Sequence, residues 1–126
     1  MRFLEVVVLA GALLGAATPL AAHHSFAAQY DASKPITLTG TVTKVEWMNP
    51  HARFYMDVQA DDGKVTNWNL ELASPNYLKR AGWSSTSLKE GDTVTVEGSL
   101  ARSGANMANA ATVKLADGQR VFARGN

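Results

Sequence analysis

Between Ile36 and Trp47 the chain alternates in character. Ile36, Leu38 and Val42 fall on one side, and Thr37, Thr39, Thr41 and Thr43 on the other. A period of two over this length predicts a first strand. The apolar parity then switches between Val42 and the Val45-Trp47 pair. A switch of face within one strand predicts a bulge or strong coil, with Gly40 as its pivot. Asn49-Pro50 breaks the pattern. Phe54, Met56 and Val58 then alternate with Arg53, Tyr55 and Asp57 as a second strand. Asp61-Asp62-Gly63-Lys64 is a hairpin turn, and Trp68, Leu70 and Leu72 mark the apolar face of a third strand. Ser74 as N-cap, Pro75 in the first turn and Gly82 beyond the end predict a short helix that turns Leu78, Ala81 and Trp83 to the core. Strands follow over Thr93 to Leu100, with Val94 and Val96 inward, over Ala110 to Leu115, and over Arg120 to Phe122. The loop from Arg102 to Met107 separates the first two of these.

Three strands, a short helix and two or three more strands give an all-β class with one helix. The order fits a five- to six-stranded OB-fold-like Greek-key barrel, whose coiled first strand serves both halves. An open α+β sandwich is the competing arrangement. The domain plan is a signal peptide over residues 1–22, an irregular N-terminal arm over 23–35 and the barrel over 36–123.

Composition bears first on the N-terminus. Arg2, an apolar run from Phe3 to Leu14 broken only by Glu5, and the small-residue stretch ending Ala21-Ala22 read as an export signal. The run is shorter than the roughly 20 apolar residues that span a bilayer. Cleavage, a periplasmic location and no stable membrane insertion afterwards are therefore expected. The chain has no Cys, which excludes disulfides, thiolate metal sites and thiol nucleophiles. Formal net charge is +1 with no basic stripe, so nucleic acid is not expected as a partner.

Several motifs recur together: His23-His24-Ser25-Phe26, Asn49-Pro50-His51, the block from Trp68 to Asn76, Lys89-Glu90-Gly91-Asp92-Thr93-Val94-Thr95-Val96, and Ala108-Asn109-Ala110. With them the chain resembles a family of small exported bacterial proteins classed as a domain of unknown function. The resemblance covers nearly the whole mature chain and departs from the pattern only in the polar Arg53-Phe54-Tyr55 stretch. It implies a Gram-negative, periplasmic, OB-like barrel, and no particular activity.

The candidate chemistry is in the three histidines, His23, His24 and His51. Two of them flank the expected cleavage point. Cleavage after Ala21 puts His24 third, where the α-amine, two backbone amides and its imidazole present the planar nitrogen set that Cu(II) and Ni(II) favour. Cleavage after Ala22 makes His23 the first residue, chelating through its α-amine and ring, with His51 as a second imidazole. That second arrangement requires the arm to return along strand one nearly fully extended, because arm and strand each span at most ~40 Å. Phe26 and Tyr30 are the candidate anchors. The plainer alternatives are a frayed terminus for His23-His24 and a turn role for His51. Met48, Met56 and Met107 carry thioethers suited to Cu(I), with Met56 at a core parity.

Trp47, Asn49, Arg53 and Tyr55 are candidate ligand-binding residues on the barrel face. Glu71 lies on the parity opposite to Leu70 and Leu72, which predicts exposure and no role. No nucleophile elbow is present, so an enzyme is not expected. The leading expectation is a periplasmic, non-enzymatic binding protein that takes copper through its histidines, as a carrier or accessory. The alternative is a metal-free OB-fold module for a protein or small envelope ligand.

Overall fold

The computed structural model describes residues 26–123, with side chains over 26–119; the expected signal peptide, His23 and His24 lie outside the described residues. Among the described residues six strands form, β1 (Tyr30–Glu46), β2 (Arg53–Gln59), β3 (Val65–Glu71), β4 (Thr93–Ala101), β5 (Met107–Leu115) and β6 (Arg120–Ala123), with a short helix, α1 (Pro75–Arg80), besides a helical turn at 26–29. They join in the order β3-β2-β1-β4-β5-β6, and a parallel pairing of β3 with β5 closes the first five strands into a barrel. This is the OB topology, with β6 added outside on β5.

The strand alternation produces the core directly. Leu38 and Val42 of β1, Phe54 and Met56 of β2, Leu70 of β3, Val94 and Val96 of β4 and Ala108, Ala110 and Val113 of β5 are all buried together. Leu78 from α1, with Trp83 and Leu88 from the segment after it, completes the same cluster. Each large apolar side chain so buried contributes about 1.5–3 kcal/mol, which a chain without disulfides depends on. The helix has its predicted cap, Ser74 Oγ accepting from the Tyr77 amide at 3.2 Å, and Gly82 ends it with a φ of 94°. Ala81, expected to face the core, is the exposed C-cap residue instead.

Two expectations about the first strand change. Residues 30–35, assigned to an irregular arm, belong to β1, where Tyr30 pairs with Ala101 and Asp31 with Leu100. The register shifts between Asp31 and Pro35, and Asp31 Oδ1 there accepts from both the amide and the hydroxyl of Ser33. Proline has no N–H for a ladder, so the bulge masks the period of two in the sequence.

The second change concerns the pivot. The register shift toward β2 lies between Val42 and Lys44, not at Gly40. Gly40 sits where β1 passes from pairing with β4 to pairing with β2. A Cβ there would stand 2.1 Å from the Asp57 carbonyl oxygen. Gly98 plays the same part on β4, where a Cβ would stand 2.1 Å from the Asn109 carbonyl oxygen beside another register shift.

The coil these features allow brings the two ends of β1 to one level of the barrel. Asp31 pairs with Leu100, Leu100 with Ala108, Ala108 with Leu70, Leu70 with Phe54, and Phe54 with Val45. The ring therefore begins and ends in the same strand. The start of β1 reaches the β1–β2 loop because β1 winds around the barrel. An extended arm doubling back along it is not needed.

Replacing Gly40 with Ala forces backbone apart and is expected to cost about 3 kcal/mol in urea unfolding. Thr37→Ala on the same strand, exposed and away from the crossing, should stay within about 1 kcal/mol of wild type. Equal midpoints for Gly40→Ala and wild type would remove the close approach as the reason for this glycine.

Candidate functional site

One step along each strand from that inner ring lies a row on the outer face. Glu46 of β1 pairs with Arg53 of β2, Arg53 with Glu71 of β3, and Glu71 with Asn109 of β5. An outward carboxylate at a strand end is ordinarily solvated. Glu71 is instead only 3 % exposed. It is the one buried charged residue among the described residues.

Two segments cover it. The β1–β2 loop contains the cis Asn49-Pro50 peptide and is pinned beyond the strand ends. The Ala52 amide donates to the Ala73 carbonyl at 3.0 Å, and the Leu72 amide donates to the Ala52 carbonyl at 2.9 Å. These bonds hold His51 over Glu71. From the other side comes the N-terminal segment, whose residues 26–29 are helical. Arg102 fastens it, its amide donating to the Gln29 carbonyl at 2.9 Å and its Nε to the Ala27 carbonyl at 2.6 Å. Phe26 and Tyr30 stand ring to ring, centroids 5.6 Å apart, as the anchors the sequence suggested.

The carboxylate is satisfied by three donors. Tyr30 Oη donates to Oε2, His51 Nδ1 donates to Oε1, and Arg53 Nη2 lies 3.4 Å from Oε2. A carboxylate is an acceptor only, so this contact puts a proton on His51 Nδ1. Arg53 is itself oriented, Nη1 donating to Asn69 Oδ1 at 3.3 Å and touching Met107 Sδ at 3.9 Å. Burial and the neighbouring Glu71 carboxylate push the Tyr30 phenol well above its ordinary range. A buried carboxylate without such donors costs several kcal/mol.

Two cavities have both His51 and Glu71 in their walls. One, of ≈ 250 Å³, is rimmed by Glu46, Met48, Asn49 and Arg53. The other, of ≈ 280 Å³, is walled by Phe26, Tyr30, Pro50 and Asn109. Asn109 Oδ1 is buried without a hydrogen-bond partner among the described residues.

Of the residues singled out from sequence, Asn49, His51 and Arg53 meet at the first cavity. Trp47 and Tyr55 line neither cavity. Trp47 packs half-buried against the core. Tyr55 is one pair further along the outer face, with Lys44 Nζ 5.6 Å from its ring centroid. Among the described residues no group of three or more His, Asp or Glu is placed to hold a metal ion. Sequence reasoning missed Glu71, for which it expected exposure. Alternation assigned its face correctly and could not register the two segments that cover that face. The available signal was a carboxylate between Leu70 and Leu72 where the strand pattern ends.

Tyr30→Phe removes one charge-assisted donor from Glu71 and is expected to cost about 2 kcal/mol in chemical unfolding. The phenol also sets a pH dependence. An unfolded tyrosine loses its proton near pH 10, whereas folded Tyr30 keeps it to higher pH. The folded state then holds more protons, so this stabilisation is complete below about pH 10 and declines as pH rises beyond it. Unfolding midpoints measured from pH 8 upward should show the decline in wild type and a shallower one in Tyr30→Phe. Parallel profiles would mean that the phenol is not held by Glu71.

Comparison with solved structures agrees on the fold. The mitochondrial single-stranded DNA binding protein Rim1 of S. cerevisiae matches with a TM-score of 0.52 at 13% identity, over 66% of this chain and 93% of that one. The N-terminal domain of PriB from Thermoanaerobacter tencongensis matches at 0.48 and 18% identity, over 66% of this chain and 96% of that one. The first likeness is of fold alone, yet it corrects the expectation that nucleic acid is excluded. A barrel of this kind belongs to a single-stranded DNA binding protein, and a balanced whole-chain charge does not decide what one local groove contacts. No curated protein matches in sequence. Residues 11–110 match the model of a family of unknown function, DUF6152, and the chain belongs to that family.

Proposed function

We propose that this domain is a periplasmic, non-enzymatic copper-binding protein whose site centres on His51. The observation that carries the reading is the buried Glu71 carboxylate on His51 Nδ1. Metal-ligating histidines characteristically donate their other ring N–H to a carboxylate or carbonyl, which fixes the tautomer and raises ligand basicity. The His51 side chain is 48% exposed, so its remaining nitrogen is accessible from the cavity side.

The position of the N-terminal segment supports the same reading. Phe26 and Gln29 border the cavities that His51 borders. His24 precedes Phe26 by two residues, so covalent geometry alone keeps their Cα atoms within ~7 Å. His23 or His24 and the new α-amine would join His51 as nitrogen donors once the leader is removed. Copper would supply a Lewis-acidic ion that prefers such donors. The protein's own part is to hold His51 in one tautomer through Glu71 and to dock the N-terminal segment through Tyr30, Phe26 and Arg102. The export pattern of residues 1–22 supports a periplasmic location, where the protein would act as carrier or accessory.

A second reading rests on the ≈ 280 Å³ cavity. Its aromatic walls and the buried, unpartnered Asn109 Oδ1 suit a small ligand with an N–H or O–H donor, without metal.

Protein purified from periplasm, its N-terminus fixed by intact mass, is expected to bind Cu(II) stoichiometrically with an axial EPR signal. His51→Ala should alter that signal and weaken binding by about tenfold or more, and Glu71→Gln should weaken it less. Failure of the wild type to take up stoichiometric copper at micromolar Cu(II) sinks the copper reading and leaves the metal-free one.

A further inference from the structure

Three methionines follow the expected leader, Met48, Met56 and Met107, and the fold gives each a different fate. Met56 is fully buried in the barrel core among Phe54, Leu70 and Val96. Its sulfur is packing, out of reach of any ion. Met107 is half-buried on β5, and its sulfur touches Arg53 Nη1 at 3.9 Å. That sulfur is already engaged by a donor, and Met107 borders neither cavity.

Met48 differs from both. It is 51% exposed, one of two exposed large hydrophobic residues among those described. The other, Val65, lies at the start of β3, away from both cavities. An exposed apolar side chain alone is unremarkable. Met48, however, borders the same ≈ 250 Å³ cavity as His51. The β1–β2 loop that carries both residues is held in place at Ala52 by the backbone bonds to Leu72 and Ala73. The loop therefore presents one thioether and one oriented imidazole to one space.

These two donors differ in softness. Imidazole accepts copper in either oxidation state, whereas a thioether selects Cu(I). We propose that Met48 is a Cu(I) ligand beside His51, so that the site retains copper in its cuprous form. This inference rests on the copper reading of His51 and adds to it the oxidation state and the sulfur donor.

The test compares wild type, Met48→Leu and Met107→Leu as processed full-length domains. Cu(I) affinity is read under anaerobic reducing conditions by competition with a chromophoric Cu(I) chelator, and Cu(II) affinity separately by titration. Leucine keeps the apolar volume at an exposed position, and thermal unfolding verifies that each variant is folded. Met48→Leu is expected to weaken Cu(I) binding by about tenfold or more and to leave Cu(II) binding within about twofold. X-ray absorption of the Cu(I) form should lose its copper–sulfur scattering in Met48→Leu and keep it in Met107→Leu. Unchanged Cu(I) affinity in Met48→Leu, or loss of the sulfur signal in Met107→Leu instead, overturns the assignment of Met48 and leaves the His51 reading standing. A wild type that binds neither oxidation state overturns both.

Discussion

The buried carboxylate of Glu71 organises the end of this barrel where both cavities lie. An ionised carboxylate removed from water costs several kcal/mol unless donors surround it. Here the donors come from three separate parts of the chain: Tyr30 at the start of β1, His51 in the β1–β2 loop and Arg53 on β2. Each donor is held in turn by something else. Tyr30 stacks on Phe26, His51 rides on a loop bonded to Leu72 and Ala73, and Arg53 is steadied by Asn69. One charge thereby ties the N-terminal segment, a loop and a sheet edge into a single arrangement.

That arrangement is possible only because β1 coils. A flat strand of this length would leave Tyr30 and His51 at opposite ends of the molecule. Gly40 and Gly98 let strands approach where a Cβ would collide with a carbonyl, and bulges at Val42/Lys44 and Asp31/Pro35 shift the register. Closure through the parallel β3–β5 pairing then sets Asn109 beside Glu71 and completes the outer row. Barrel closure and site assembly are the same geometric event.

The chemistry follows from what the carboxylate does to its neighbours. It puts a proton on His51 Nδ1 and, together with burial, which contributes most, keeps the Tyr30 phenol protonated. Around His51 and Glu71 stand Arg53, the amides of Gln29, Asn49 and Asn109, the exposed thioether of Met48 and the rings of Phe26 and Tyr30. Membership of a family of unknown function and a barrel like that of a single-stranded DNA binding protein define the scaffold, and this local donor set distinguishes the site.

The alternation of apolar residues determined the strands, the helix caps and the OB order, because burial of one strand face leaves a period of two that local reading detects. Residue type and position also singled out Asn49 and His51 in the loop and Arg53 at the start of β2, which the fold brings to one cavity. Alternation misplaced the start of β1, because Pro35 and the bulge before it break the period. It misread Glu71, because alternation reports which face a side chain takes and says nothing of what covers that face. The burial of Glu71 and the convergence of Tyr30 and His51 on its carboxylate were decided by the tertiary structure alone. Each depends on residues far apart in sequence that become neighbours only when β1 winds around the barrel.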